Sequence, residues 1–214
     1  MTLDGRIAVP DDNSGWVTSE EARAHVQRQR HAHDAIWTGI GTVLADNPML
    51  TDRTDLARRR PLLRVLTDSK LRISLTARML QRVEQDLLVL CNSGADLEKW
   101  RALEQRGAQV ASVSGEGRPD PRLVVAELGR REITSVLLEA GAELNGAALD
   151  AGVVDKVFLY YAPKILAGRE ALPMATGGSI RAMRDALPVS NIRHHHFGDD
   201  FAIEGNLHDV YRNH

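Results

Sequence analysis

Along this chain, short apolar bursts alternate with stretches whose apolar residues recur every three or four positions. The bursts predict strands at Ala35–Thr38, Leu62–Thr67, Leu87–Cys91, Gln109–Val113, Ser135–Leu138, Lys156–Tyr161, Ile192–Phe197 and Phe201–Gly205. The helical stretches between them have readable ends. Thr18-Ser19-Glu20-Glu21 reads as a capping box opening a helix that runs to about His33. Asp96 caps a segment with Leu97, Trp100 and Leu103 on one stripe, and Gly107 stops it. Asp120-Pro121 starts another through Leu123, Val124 and Leu128, and a last helix begins near Gly141 and ends around Gly152. Strands alternating with helices predict an α/β layered domain with a largely parallel sheet. The final two strands, joined at Gly198-Asp199-Asp200, read as an antiparallel hairpin, so the sheet is expected to be mixed. The longest loop-like stretch, Val113–Pro121, is too short for a domain boundary, and residues 1–214 read as a single domain.

Composition narrows the class. The 214 residues carry 27 basic and 29 acidic side chains, a net charge of -2, which excludes a general nucleic-acid or membrane-surface binder. Cys91 is the only cysteine, which excludes an intramolecular disulfide framework and any multi-cysteine zinc site. With no signal pattern and no apolar run of about 18 residues, the expectation is a cytoplasmic enzyme or binding protein. Aromatic residues are scarce, so Trp16, Trp37 and Trp100 each raise the question of what they cover.

Three stretches could carry chemistry. Leu3-Asp4-Gly5 gives a tight turn, and a polar loop then delivers Ser14 and Trp16 just before a helix start. Such a loop can set a hydroxyl and an indole against a flat ring; the competing reading makes Trp16 a core plug. In the second stretch, Gly39 to Arg53, a strand ends at a Gly-x-Gly turn, a short helical piece follows, and Asn47-Pro48 breaks it. That loop could aim Thr42, Asp46 and Arg53 at the crevice beside the strand ends, where open α/β sheets bind ligands. Arg53 and Arg30 suit a phosphate monoester, whereas Arg23, on roughly the same helix face as Arg30, reads as part of a solvated basic face. In the third stretch, Leu137 to Gly146, a buried strand runs into a Gly-containing turn and a helix whose first N–H groups could hold an anionic cofactor. Glu139 could accept hydrogen bonds from an amino-pyrimidine ring or cap that helix. His194-His195-His196 looks like a metal site, but strand alternation lets only His194 and His196 share a face, and a solvated edge is the preferred reading. Cys91 reads as a core thiol.

Taken together, Leu3-Asp4-Gly5, Ser14-x-Trp16, Gly41-Thr42-Val43-Leu44-Ala45-Asp46-x-Pro48-x-Leu50-Thr51-x-Arg53, Leu66-x-Asp68-Ser69 and Glu139-x-Gly141 resemble the reductase domain of the bacterial bifunctional pyrimidine deaminase/reductase of riboflavin biosynthesis. The block from Gly41 to Arg53 is the most specific part. The resemblance implies a dihydrofolate-reductase-like fold, three layers with a mixed central sheet and helices on both faces. It implies NADPH-dependent reduction of the ribosyl group of 5-amino-6-(5-phosphoribosylamino)uracil, with no metal, in a homodimer built partly on the C-terminal hairpin. Ser14, Arg30, Leu50, Arg53 and Glu139 would then line the substrate site, the arginines near its phosphate. Trp16, Thr42, Asp46, Ser69 and the turn Gly141, Ala142, Glu143, Leu144, Asn145, Gly146, Ala147 would contact NADPH, with Ser69, Lys70 and Arg72 near its 2′-phosphate. Asp46 and Glu139 are the residues placed nearest the chemistry.

The family also has a strand with a substrate-contacting lysine before the Asp-Gly turn, which here lies at the start of the sequence; strand and lysine are expected to be missing. One cysteine cannot supply the deaminase zinc site, so deamination is not expected of this chain. Two other readings compete: an NADPH-dependent reductase of another, pterin-like heterocycle, and a non-catalytic nucleotide-binding paralogue.

Overall fold

A computed structural model describes residues 1–9, 15–114, 117–178 and 182–208. In chain order its elements are β1 (Arg6–Ala8), α1 (Glu20–Ala32), β2 (Ala35–Gly39), α2 (Ile40–Asp46), β3 (Leu63–Thr67), β4 (Leu87–Asn92), α3 (Leu97–Gln105), β5 (Gln109–Ser114), α4 (Pro121–Arg130), β6 (Val136–Leu138), α5 (Ala142–Asp150), β7 (Lys156–Tyr161), β8 (Leu172–Pro173), β9 (Ser190–Phe197) and β10 (Asp200–Asn206). They form two compact units, one from Gln27–Gly141 and the other from Met1–Val26 with Ala142–His214.

The Gln27–Gly141 unit is a five-stranded parallel sheet in the order β5-β4-β3-β2-β6. The chain steps outward from β2 to β5 and then returns past β2 to lay down β6. Because parallel crossovers are right-handed, the reversal puts α3 and α4 on opposite faces of the sheet. A strand covered on both sides should be apolar throughout, and Leu87–Cys91 of β4 are all fully buried. One face carries Ile36, Leu66, Val89 and Cys91 into a core completed by Leu50, Ile73, Met79 and Leu103. Arg64 also points to this face and is 1% exposed. It is tolerated because Asp86 takes it bidentately at 2.9 Å and the carbonyls of Met49, Met79 and Arg82 take its remaining donors.

The helix ends obey the signals in the sequence. Asp96 accepts from the N–H groups of Glu98 and Lys99, and Asp120 from that of Arg122 ahead of Pro121. Asn47 closes α2 in the left-handed conformation, its N–H bonded to the Val43 carbonyl.

In the other unit, β10 pairs antiparallel with both β7 and β9, giving the order β7-β10-β9, and β1 pairs with β8. The expected hairpin is present, with Gly198 at φ 62 in its turn. It belongs to an antiparallel ladder with β7 and not to the parallel ladder, so the mixed character lies in separate sheets. Ser19 caps α1, its hydroxyl accepting from the Ala22 N–H, while the Asp200 carboxylate receives the Ser19 N–H at 2.5 Å.

Candidate active site

The reversal of strand order lies between the parallel strands β2 and β6, and their carboxyl ends open side by side. Beyond Gly39 the chain enters α2; beyond Leu138 it continues through Glu139 and Ala140 to Gly141. The Glu139 N–H extends the ladder to the Trp37 carbonyl. The Thr42 hydroxyl, in the first turn of α2, accepts the Gly141 N–H at 3.1 Å and ties the two strand ends together. A methyl group added at Gly41 would meet nothing within 4 Å, and at Gly141 only the Thr42 hydroxyl at 3.6 Å, so the surface there is open to close approach of a flat ligand.

Glu139 stands at this point, its side chain 35% exposed and gripped by Arg30. Arg30 Nε donates to Oε2 at 3.0 Å and Nη2 to Oε1 at 2.5 Å, while Nη1 reaches the Thr51 carbonyl at 3.0 Å. Arg30 is itself only 8% exposed. Its planar fork is therefore occupied in positioning a carboxylate and a loop. The expected pairing of Arg30 with Arg53 around one phosphate divides accordingly. Arg53 is exposed, its N–H is fixed by Gln27 Oε1 at 3.0 Å, and its guanidinium has no hydrogen bond or ion pair among the described residues.

Thr42 and Asp46 are four residues apart on α2 and so share one face. The Asp46 side chain reaches solvent, yet partial desolvation by the surrounding protein pushes its carboxyl above the ordinary value. Leu50 is 3% exposed at φ 53, a left-handed conformation that a leucine adopts only when its surroundings enforce it. Its side chain anchors in the core. Ser69 follows Asp68, whose Oδ2 accepts the Ile73 N–H at 2.8 Å, while the Ser69 carbonyl takes the Asn92 N–H.

The remaining expected positions belong to the other unit. Ser14 lies outside the described residues. Trp16 is 71% exposed, which overturns the core-plug reading; the Arg23 guanidinium lies 4.9 Å from its ring centroid. Ala142 is buried and its carbonyl accepts the Thr176 N–H; Asn145 donates to the Met174 carbonyl at 2.9 Å. Gly146 lies against the Thr176 backbone so closely that a side chain there would collide with it. Glu143 is exposed, while Leu144 and Ala147 are half-buried. His194 and His196 are exposed, and His195, on the opposite face, meets Glu204 at 2.9 Å. Among the described residues no three His, Cys, Asp or Glu side chains are grouped to hold a metal, and no helix is long and apolar enough to cross a membrane. Trp37 is buried and Cys91 sits in the core, as its pattern foretold.

Sequence reasoning missed the cluster that fixes the loop after α2. Asp52 meets His31 Nδ1 at 2.8 Å, Arg58 Nη1 at 3.0 Å, and the hydroxyl and N–H of Thr54. Arg58 also caps the end of α1 through the carbonyls of Arg30, His31 and His33. The available signal was an acidic residue embedded among basic ones, next to the phosphate-matching Arg53.

Comparison with known proteins matches residues 1–203 to the family described as the RibD C-terminal domain. The chain is 35% identical over 205 residues to the riboflavin biosynthesis protein RibD of Actinobacillus pleuropneumoniae, covering 95% of this chain and 54% of that one. It is 36% identical over 205 residues to the 2,5-diamino-6-ribosylamino-4(3H)-pyrimidinone 5′-phosphate reductase of Methanothermobacter thermautotrophicus, covering 95% and 93%. The structure of Acinetobacter baumannii RibD superposes with a TM-score of 0.80 at 28% identity, over 96% of this chain and 55% of that one. The chain thus spans about half the length of the RibD relatives and nearly all of the archaeal reductase.

Proposed function

The chain belongs to the RibD C-terminal domain family, and from that premise we propose that it catalyses NADPH-dependent reduction of the ribosyl group of 5-amino-6-(5-phosphoribosylamino)uracil to the ribitylamino product. It would act in the cytoplasm, as a single reductase domain assembled into a homodimer built partly on the C-terminal hairpin. The observation that carries the reading is the Glu139 carboxylate held by Arg30 at the carboxyl ends of β2 and β6, next to the Thr42–Gly141 link.

The open space at Gly41 and the tolerance at Gly141 fit a planar cofactor lying close to backbone, with Thr42 and Ser69 as further contacts. NADPH, when bound, supplies the hydride. The bond reduced is the carbon–nitrogen double bond of the ring-opened ribosylamine, so the ribose carbon receives the hydride and the nitrogen a proton. Glu139, fixed as a two-oxygen acceptor, would take hydrogen bonds from the N–H groups of the pyrimidine and orient the ring. Asp46, on the same face of α2 as Thr42, would deliver the proton, and partial desolvation moves its carboxyl upward from the ordinary value. Leu50 would line the pocket and Arg53 would meet the phosphate. The roles given to Ser14, Trp16 and positions 142–147 stand on the family resemblance alone.

The test is to mix the purified chain with NADPH and the enzymatically prepared substrate and follow nicotinamide absorbance. Substrate-dependent oxidation is expected, falling at least about a hundredfold in Asp46→Ala, the scale of losing a proton donor, and also weakened in Arg53→Ala. NADPH binding without turnover would sink the reaction assigned here.

A further inference from the structure

The segment Leu50–Thr54 is held at every residue. The Leu50 side chain is in the core, and the Thr51 carbonyl takes Arg30. The Asp52 side chain, 8% exposed, lies against His31, Arg58 and Thr54; the Arg53 N–H is on Gln27, and the Thr54 N–H returns to Asp52. The one charged group of the segment left without a partner among the described residues is the guanidinium of Arg53. Charge is divided the same way. Asp52 neutralises Arg58, whose bonds to Asp52 and to the carbonyls of Arg30, His31, His33 and Arg60 leave at most one Nη2 N–H for an incoming anion.

A long cationic side chain mounted on a loose loop must lose backbone as well as side-chain freedom when it meets an anion. On a fixed backbone only the side chain is ordered, and affinity rises accordingly. We propose that Asp52 is a positioning residue: by clamping its loop to the end of α1 through His31 and Arg58, it presents Arg53 to a phosphate monoester and sets the preference for a phosphorylated over a dephosphorylated substrate. This deepens the function proposed above and rests on it. Position 52 is one that the family pattern leaves open, so the assignment comes from the contacts of this chain.

The experiment compares kcat/KM of wild type and Asp52→Asn on 5-amino-6-(5-phosphoribosylamino)uracil and on its dephosphorylated counterpart. For the phosphorylated compound a fall of about tenfold, carried by KM, is expected; for the other the change should stay within about twofold. Adding Asp52→Asn to Arg53→Ala should cost nothing further, because the cation it positions is gone. A purely structural role would lower both substrates alike and add to the Arg53→Ala loss, and that result overturns the inference, as does no loss at all. If the dephosphorylated compound turns over too slowly, ribose 5-phosphate serves as competitive inhibitor; an unchanged inhibition constant in Asp52→Asn overturns the inference equally. Should Asp52→Asn fail to fold, His31→Leu removes one arm of the clamp and is read the same way. A wild type that turns over neither compound refutes the proposed reductase itself.

Discussion

Asp52 shows how a single side chain can carry both stability and placement. Burial alone would raise its carboxyl, but hydrogen bonds from Thr54, His31 and Arg58 outweigh that and hold it at about 2. A folded-state value below the unfolded one, about 3.9, means the stabilisation is complete above roughly pH 5 and is lost as the pH falls toward 2. The difference corresponds to about 2–3 kcal/mol. Urea unfolding between pH 6 and pH 2.5 should therefore show a steeper acid loss in wild type than in Asp52→Asn; parallel curves would mean the carboxylate is not held in this way. The Thr54 contact is local, two residues on, but the pairing with His31 and Arg58 was not legible locally, because those partners come from a helix end and from the far side of a loop. The same is true of Arg30 and Glu139, 109 residues apart, whose types were recognised as ligand-binding but whose mutual grip was not. Arg53 could be read as a phosphate ligand from its type and neighbours, whereas the lack of a partner for its guanidinium among the described residues required the fold.

At the scale of elements, local signals fared better. Asp96 and Asp120 cap the helices they were expected to cap, the cap of α1 falls on Ser19 within the expected Thr18–Glu21 box, and Asn47 ends α2 where Asn47-Pro48 breaks the pattern. Caps and breakers act within a few residues, so the sequence carries them directly. Strands β1 and β8 were not legible: each is short, and Arg6 finds Pro173 only through the tertiary fold. Helix α5 lies between these cases. Its position was foreseen, but Gly146 was assigned to cofactor contact, while the structure gives it a packing reason, the Thr176 carbonyl lying where a Cβ would go. In an ordinary helix interior Gly→Ala stabilises by about 0.5–1 kcal/mol. Here the obstacle is backbone and cannot swing aside, so Gly146→Ala is expected to destabilise by about 1–3 kcal/mol. Gly41→Ala, with open space around it, should keep the ordinary sign. Denaturant midpoints of the two variants shifting in the same direction would contradict this account.

For the whole molecule, alternation of strand and helix patterns sufficed to foresee an α/β fold, because a parallel strand buried on both faces must be apolar along its length and β4 is. It could not reveal that the antiparallel hairpin would pair with β7 in a ladder of its own, since pairing partners are chosen by surfaces distant in sequence. That ladder bears on assembly. β9 is an edge strand, mostly exposed, with Ile192 53% accessible and Leu187 and Val189 about 40% accessible just ahead of it. Arg193, His194 and His196 stand exposed on the same strand, the kind of polar decoration that discourages indiscriminate edge pairing. A homodimer using the hairpin would have to cover the apolar residues while leaving these side chains hydrated or paired across the interface. Sedimentation combined with amide hydrogen exchange separates the possibilities. If the hairpin forms the interface, the chain sediments as a dimer, and the β9 amides exchange more slowly as concentration rises while those of buried β4 do not change. A dimer whose β9 exchange is independent of concentration moves the interface elsewhere. A chain that remains monomeric at high concentration removes the homodimer from the proposal, and a reductase site must then work within one copy.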